Sequence, residues 1–138
     1  MMNGLLLDTH VWIWLMEGSA TLNRKQQKII DNATQHSVIG IAAISVWETA
    51  MLVEKGRIRL EKPLLAWVQE ALALPGIELK PLTPEIAVES AQLPDGFHGD
   101  PADRLIVATA RMHQLTLLTR DKKILDYAQK EYLSAISV

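Results

Sequence analysis

Leu5-Leu6-Leu7-Asp8-Thr9 is the stretch that decides the fold. Three consecutive leucines close to the N-terminus read as a short strand buried on both faces. The run stops on a carboxylate and a hydroxyl, and Val11-Trp12-Ile13-Trp14-Leu15-Met16 follows as a helix. In an open α/β sheet, ligands are handled at the carboxyl ends of buried strands. Asp8 therefore either stands at the mouth of a site or, with Thr9, caps the helix. Outward from this stretch the pattern repeats. Val38–Ala42 and Leu115–Thr119 are further buried strands, Ile77–Leu79 is a weaker one, and Ala135–Val138 is a terminal one. Helical segments separate them. Alternating strands and helices predict an α/β fold with a parallel sheet covered on both faces.

Composition narrows the function. The chain has 138 residues, 49 % of them hydrophobic, which is enough for one folded domain spanning 1–138. It has no cysteine. A disulfide scaffold, a thiolate metal site and a cysteine nucleophile are thereby excluded. No signal peptide is visible, and the apolar runs are too short to cross a bilayer, so a cytoplasmic protein with no membrane partner is expected. The net charge is -2. Such a protein does not bind nucleic acid by bulk charge, and divalent cations would have to bridge the phosphates.

Between the strands, several residues carry more than propensity. Trp12 and Trp14 point about 200° apart on a helix, so both can hardly face one core, unless the helix is buried all round. The surplus apolar surface of this helix and of the Trp67 helix is expected to be covered by a second copy or a partner. Asn23 to Gln35 reads as an exposed helix. Ser45 offers the start of another, on which Ile44, Trp47, Met51 and Leu52 form a stripe that includes Glu48. A carboxylate there is either at the edge of the stripe or paired. Glu54 to Lys62 is a charged loop or edge strand, whose basic residues would suit a phosphate backbone. Pro63 opens the Trp67 helix, and Thr83 caps the next one, with Pro84 in its first position. The turn-rich stretch Pro94–Gly99 runs into Asp100-Pro101-Ala102-Asp103-Arg104. Here Asp100 is placed as an N-cap and Asp103 falls in the first turn, where the helix dipole favours a carboxylate.

Asp8 and Asp121 each follow a buried strand, and Glu48 and Asp103 each lie near the start of a helix. Carboxylates at corresponding ends of a parallel sheet converge. Four together repel, which raises some of their pKa values unless a cation intervenes. An all-oxygen donor set points to Mg²⁺ or Mn²⁺. The matching chemistry is metal-assisted hydrolysis of a phosphodiester. There is no serine triad and no Gly-rich phosphate loop. His10, His36 and His113 read as surface or core residues, and His98 is not expected in the site.

Taken in order, Leu7-Asp8-Thr9, Ser45-Val46-Trp47-Glu48, Asp100 to Ala110 and Leu118-Thr119-Arg120-Asp121 resemble the PIN domain, in particular the VapC-type toxins of bacterial toxin–antitoxin pairs. The resemblance spans essentially the whole chain. It implies a three-layer α/β/α sandwich around a parallel sheet, with the first and fourth strands adjacent. It also implies a Mg²⁺- or Mn²⁺-dependent endoribonuclease acting on RNA, a homodimer, and a cognate antitoxin covering the site. By position, Asp8 and Asp103 are then the principal metal ligands, Glu48 assists, and Asp121 holds a second metal or a bound water. Thr9 and Thr119 support them. Asp100 is mainly a cap that also backs the site, and Arg104 pairs with a site carboxylate or contacts phosphate. Two further readings fit the same residues: a PIN-type RNA-processing nuclease without a toxin role, and a non-catalytic binding protein of this fold.

Overall fold

The computed structural model describes residues 4–138, so the first three residues of the expected 1–138 span lie outside it. The elements run β1 (Gly4–Leu7), α1 (Thr9–Met16), α2 (Arg24–His36), β2 (Val38–Ala42), α3 (Ala43–Glu54), α4 (Leu64–Leu72) and β3 (Ile77–Lys80). They continue with α5 (Pro84–Ala91), a 3-10 turn (Pro94–Gly96), α6 (Pro101–His113), β4 (Thr116–Thr119), α7 (Lys122–Gln129) and β5 (Ala135–Ser137). The five strands form one sheet in the order β3-β2-β1-β4-β5. Every pairing is parallel. The chain thus builds outward from β1 to β3, then returns to lay β4 on the other side of β1. Strand order reverses between β1 and β4, which is where a sheet of this kind opens a crevice.

The three leucines do what their alternation dictates. Leu5 and Leu7 join one core with Trp12, Ile13, Ile30, Ile41 and Trp67, under α1, α2 and α4. Leu6 points the other way and joins Ile86, Phe97, Ile106, Val107 and Tyr127, under α5, α6 and α7. All three are fully buried, each contributing about 1.5–3 kcal/mol of transfer free energy. The architecture is the expected α/β/α sandwich.

Local chemistry sets the helix ends. Asn23 and Gln26 form a reciprocal capping box at α2. Thr83 accepts from the Ile86 N–H at 3.2 Å, with Pro84 inside the first turn of α5. Ser45 does not start α3 as expected. That helix begins at Ala43 with no side-chain cap, and Ser45 is buried within it. The stretch 55–63 contains no strand.

The tryptophans divide as the helical phase required. Trp12 is fully buried and packs edge-on against Trp67, ring centroids 5.0 Å apart. Its Nε1 has no acceptor among the described residues. Trp14 is half-buried on the other side of α1. Trp12 and Trp67 are therefore partners of each other, not an exposed surplus. The Trp67 helix does carry exposed apolar surface, at Leu65, 68 % exposed, and α3 carries more at Trp47, 56 % exposed. Among the described residues no helix is long and apolar enough to cross a membrane.

Candidate active site

The end of β1 lies against the end of β4. Leu7 is paired with Leu118, and the Asp8 N–H donates to the Leu118 carbonyl at 3.0 Å. This register fixes Asp8 beside Thr119. The Thr119 hydroxyl donates to Asp8 Oδ2 at 2.6 Å, while Asp8 Oδ1 accepts from the Thr9 N–H at 2.9 Å. The same Thr119 hydroxyl accepts from the Asp121 N–H at 3.0 Å. Asp121 Oδ1 in turn caps α7, accepting from the Lys123 and Ile124 N–H groups at 2.8 and 3.2 Å. One buried hydroxyl thus ties two acids together.

Glu48 reaches the same place from α3. Because α3 begins immediately after β2, its first turns sit at the carboxyl edge of the sheet. The Thr9 hydroxyl donates to Glu48 Oε1 at 2.6 Å and lies 2.9 Å from the Ser45 hydroxyl. Asp103 arrives on the first turn of α6. Asp100 caps that helix, accepting from the Asp103 N–H at 2.8 Å. Gly99 leaves room for this turn, since a Cβ there would stand 2.4 Å from the Phe97 ring and 2.8 Å from the Asp103 Cβ.

All five acids, Asp8, Glu48, Asp100, Asp103 and Asp121, line one cavity of about 360 Å³ together with Thr9. Its electrostatics follow from crowding. Burial pushes the Asp8 carboxyl up, against the pull of its hydrogen bonds to Thr119 and Thr9. Burial also raises Glu48, with the charges of Asp8 and Asp100 adding to it. Asp103 is pushed up to about 7, first by burial and then by Asp100, Asp121 and Asp8. Such raised values mark a surplus of negative charge held in a partly buried place.

A hard dication fits that surplus. The donors are carboxylate and hydroxyl oxygens, and cysteine is absent. Among the described residues no three acid or imidazole side chains are already gathered into a ligand cage. Mg²⁺ characteristically takes one or two carboxylates and keeps several waters, so no such cage is required.

Thr9, Thr119 and Asp100 stand where the sequence placed them. Arg104 does not. Its Nε donates to the Ser90 carbonyl at 3.0 Å and its Nη1 to the Phe97 carbonyl at 2.6 Å, so it ties the 94–99 stretch to α5. It neither pairs with a site carboxylate nor lines the cavity. Consecutive helical residues diverge by about 100°, so Asp103 and its neighbour cannot share a face. His98 also lies away, in a separate depression beside Tyr127. His10, Val11, Trp14 and Arg120, which sequence reasoning did not assign to the site, complete the cavity lining. The one available signal was Trp14, out of phase with the buried face of α1.

Residues 5–130 match the PIN domain family. Over 123 residues the chain is 37 % identical to Ribonuclease VapC22 of Mycobacterium tuberculosis, covering 89 % of this chain and 91 % of that protein. Among solved structures it superposes on VapBC2 from Rickettsia felis bound to a promoter DNA fragment, with TM-score 0.69 and 13 % identity over 96 % of this chain and 97 % of the other. DNA-bound VapBC from Salmonella typhimurium gives TM-score 0.69 and 17 % identity, over 99 % and 98 % of the two chains. At these identities the structural likeness shows the fold alone.

Proposed function

The chain belongs to the PIN-domain family, and on that premise we propose that it is a Mg²⁺- or Mn²⁺-dependent endoribonuclease, the toxin of a toxin–antitoxin pair. The carrying observation is the meeting of Asp8, Glu48, Asp103 and Asp121, from four separate segments, in one cavity at the β1/β4 switch point. The relative named as a ribonuclease supports the reaction class, and the neighbours solved as VapBC assemblies support the antitoxin partner.

In this reading Asp8 and Asp103 hold the cation, Glu48 assists, and Asp121 completes the charge or takes a second ion. A bound dication would offset the negative charge of the site and polarise the phosphodiester for attack by water. The chain's own residues do the rest. Thr119 and Thr9 orient Asp8 and Glu48, so the carboxylates are set before substrate arrives. Asp100 holds the first turn of α6, and so the placement of Asp103. Residues 1–138 act as one domain, working in the cytoplasm as a homodimer until the antitoxin binds. Trp47 and Leu65 are exposed apolar surface for such contacts.

The test is purified protein with short single-stranded RNAs, with Mg²⁺ or Mn²⁺ and with chelator, read by product mapping. Cleavage that needs the cation and vanishes in Asp8→Asn is expected. Cleavage that persists in both Asp8→Asn and Asp103→Asn ends the reading.

A further inference from the structure

We propose that Arg120 binds the RNA phosphate next to the one that is cleaved, and that Trp14 is the positioning residue that holds it for this task. The proposal rests on the nuclease reading above. Arg120 lines the cavity alongside the acids, and among the described residues it is the one arginine or lysine that does. A guanidinium in such company ordinarily collapses onto a carboxylate. Among the described residues this one makes no ion pair with a side-chain carboxylate. Instead, its Nε donates to the Val138 main-chain oxygen at 2.8 Å and its Nη2 to the Thr21 carbonyl at 3.4 Å. Its central carbon lies 4.6 Å from the centroid of the Trp14 ring. Backbone oxygens on one side and an indole on the other thus hold it in place.

What this leaves is informative. Nη1 makes no hydrogen bond among the described residues. A planar, permanently charged group with unspent donors suits a phosphate. A purely structural tie to Val138 would need one donor and no indole. The neighbouring acids sharpen the need, because they repel an approaching polyanion. A cation held clear of the carboxylates can take a flanking phosphate without cancelling the charge that attracts the catalytic metal. Stacking on Trp14 keeps the guanidinium flat and desolvates one of its faces, which strengthens the contact.

The experiment measures kcat and KM of the full chain with Mn²⁺ on a fluorescent single-stranded RNA, selected from a random pool as one the wild type cuts, across a range of salt. Arg120→Gln should raise KM about tenfold with the loss falling on KM and not on kcat. Its slope of log(1/KM) against log salt should become shallower by about 0.7, the loss of one single-strand phosphate contact. Arg120→Lys keeps the charge and one donor for Val138. It should keep the slope and recover part of the KM, which covers the case in which Arg120→Gln folds poorly. Trp14→Leu should raise KM with the slope retained. An unchanged KM and slope in a folded Arg120→Gln, while the wild type cuts RNA, overturns the role of Arg120 alone. A lower kcat with unchanged KM and slope overturns it too, because that marks a disturbance of neighbouring Asp121. If the wild type cuts no RNA with Mn²⁺, the nuclease reading itself fails.

Discussion

The strand-end acid Asp8 and the helix-start acid Asp103 sit in one cavity, yet the fold treats them differently. Asp8 is half-buried, and both of its oxygens accept hydrogen bonds, from Thr119 and from the Thr9 N–H. Asp103 is half-buried too, but the Asp100 backbone is the smallest of the influences on it, after burial and three neighbouring charges. One carboxylate is held by the fold, while the other is left under electrostatic load. The difference shows how a sheet edge and a helix terminus bring two carboxylates into one cavity under different restraint.

The sharpest way to break this comparison is catalytic. If both acids hold the metal, Asp8→Asn and Asp103→Asn should each reduce single-turnover RNA cleavage by more than the ~10–100-fold typical of losing an outer partner of a metal ligand. A residual rate within tenfold of wild type in either one would remove that acid from the metal site. Next in size is Thr119→Val. It strips a donor from Asp8 and an acceptor from the Asp121 N–H in one step. Cleavage should fall by about 10–100-fold, while the melt in chelator drops by only about 1–3 kcal/mol, the cost of buried polar groups left unpaired. Unchanged cleavage would show that Asp8 needs no orientation.

Stability against pH then tests the load on Asp103. The Asp103 carboxyl is raised from 3.8 to about 7 in the folded state. The fold therefore binds this proton more tightly than the unfolded chain does. Its stabilising contribution is complete below pH 3.8 and is lost as pH rises towards 7. In chelator, Asp103→Asn should melt higher than wild type near neutral pH, with the gap closing on acidification. A lower melt at neutral pH would contradict the load on Asp103. Adding Mg²⁺ should raise the wild-type melt more than that of Asp103→Asn. The smallest effect is structural. Gly99→Ala crowds the Phe97 ring and the Asp103 Cβ, and should cost about 1–3 kcal/mol of overpacking, measured by chemical denaturation. A neutral result would show that the 94–99 stretch yields freely.

Much of this was readable in the chain itself because it rests on local pattern. The run Leu5–Leu7 followed by Asp8, and Thr119 followed closely by Asp121, announce strands that end on acids. Asp100 and Pro101 announce a helix start. The cavity's other lining was not readable. His10, Trp14 and Arg120 meet through the β1/β4 pairing, and no spacing in the sequence states that Arg120 would bypass its acidic neighbours for the main-chain oxygens of Thr21 and Val138. Arg104 misled for a related reason. Its adjacency to Asp103 suggested a shared task, but helical rotation sends it to Ser90 and Phe97. Ser45 looked like a cap because serine favours that position. It is instead buried near the Thr9 hydroxyl.

The facing of the three leucines, with Leu5 and Leu7 in one core and Leu6 in the other, makes this segment intolerant of length change. Inserting or deleting a single residue ahead of Asp8 would swap every side chain between the two layers and carry the acid off its mark. The 55–63 connection, at the far end of α3, carries no such constraint. Drift in chain length among descendants of this protein is thus expected to accumulate there and to spare the opening strand.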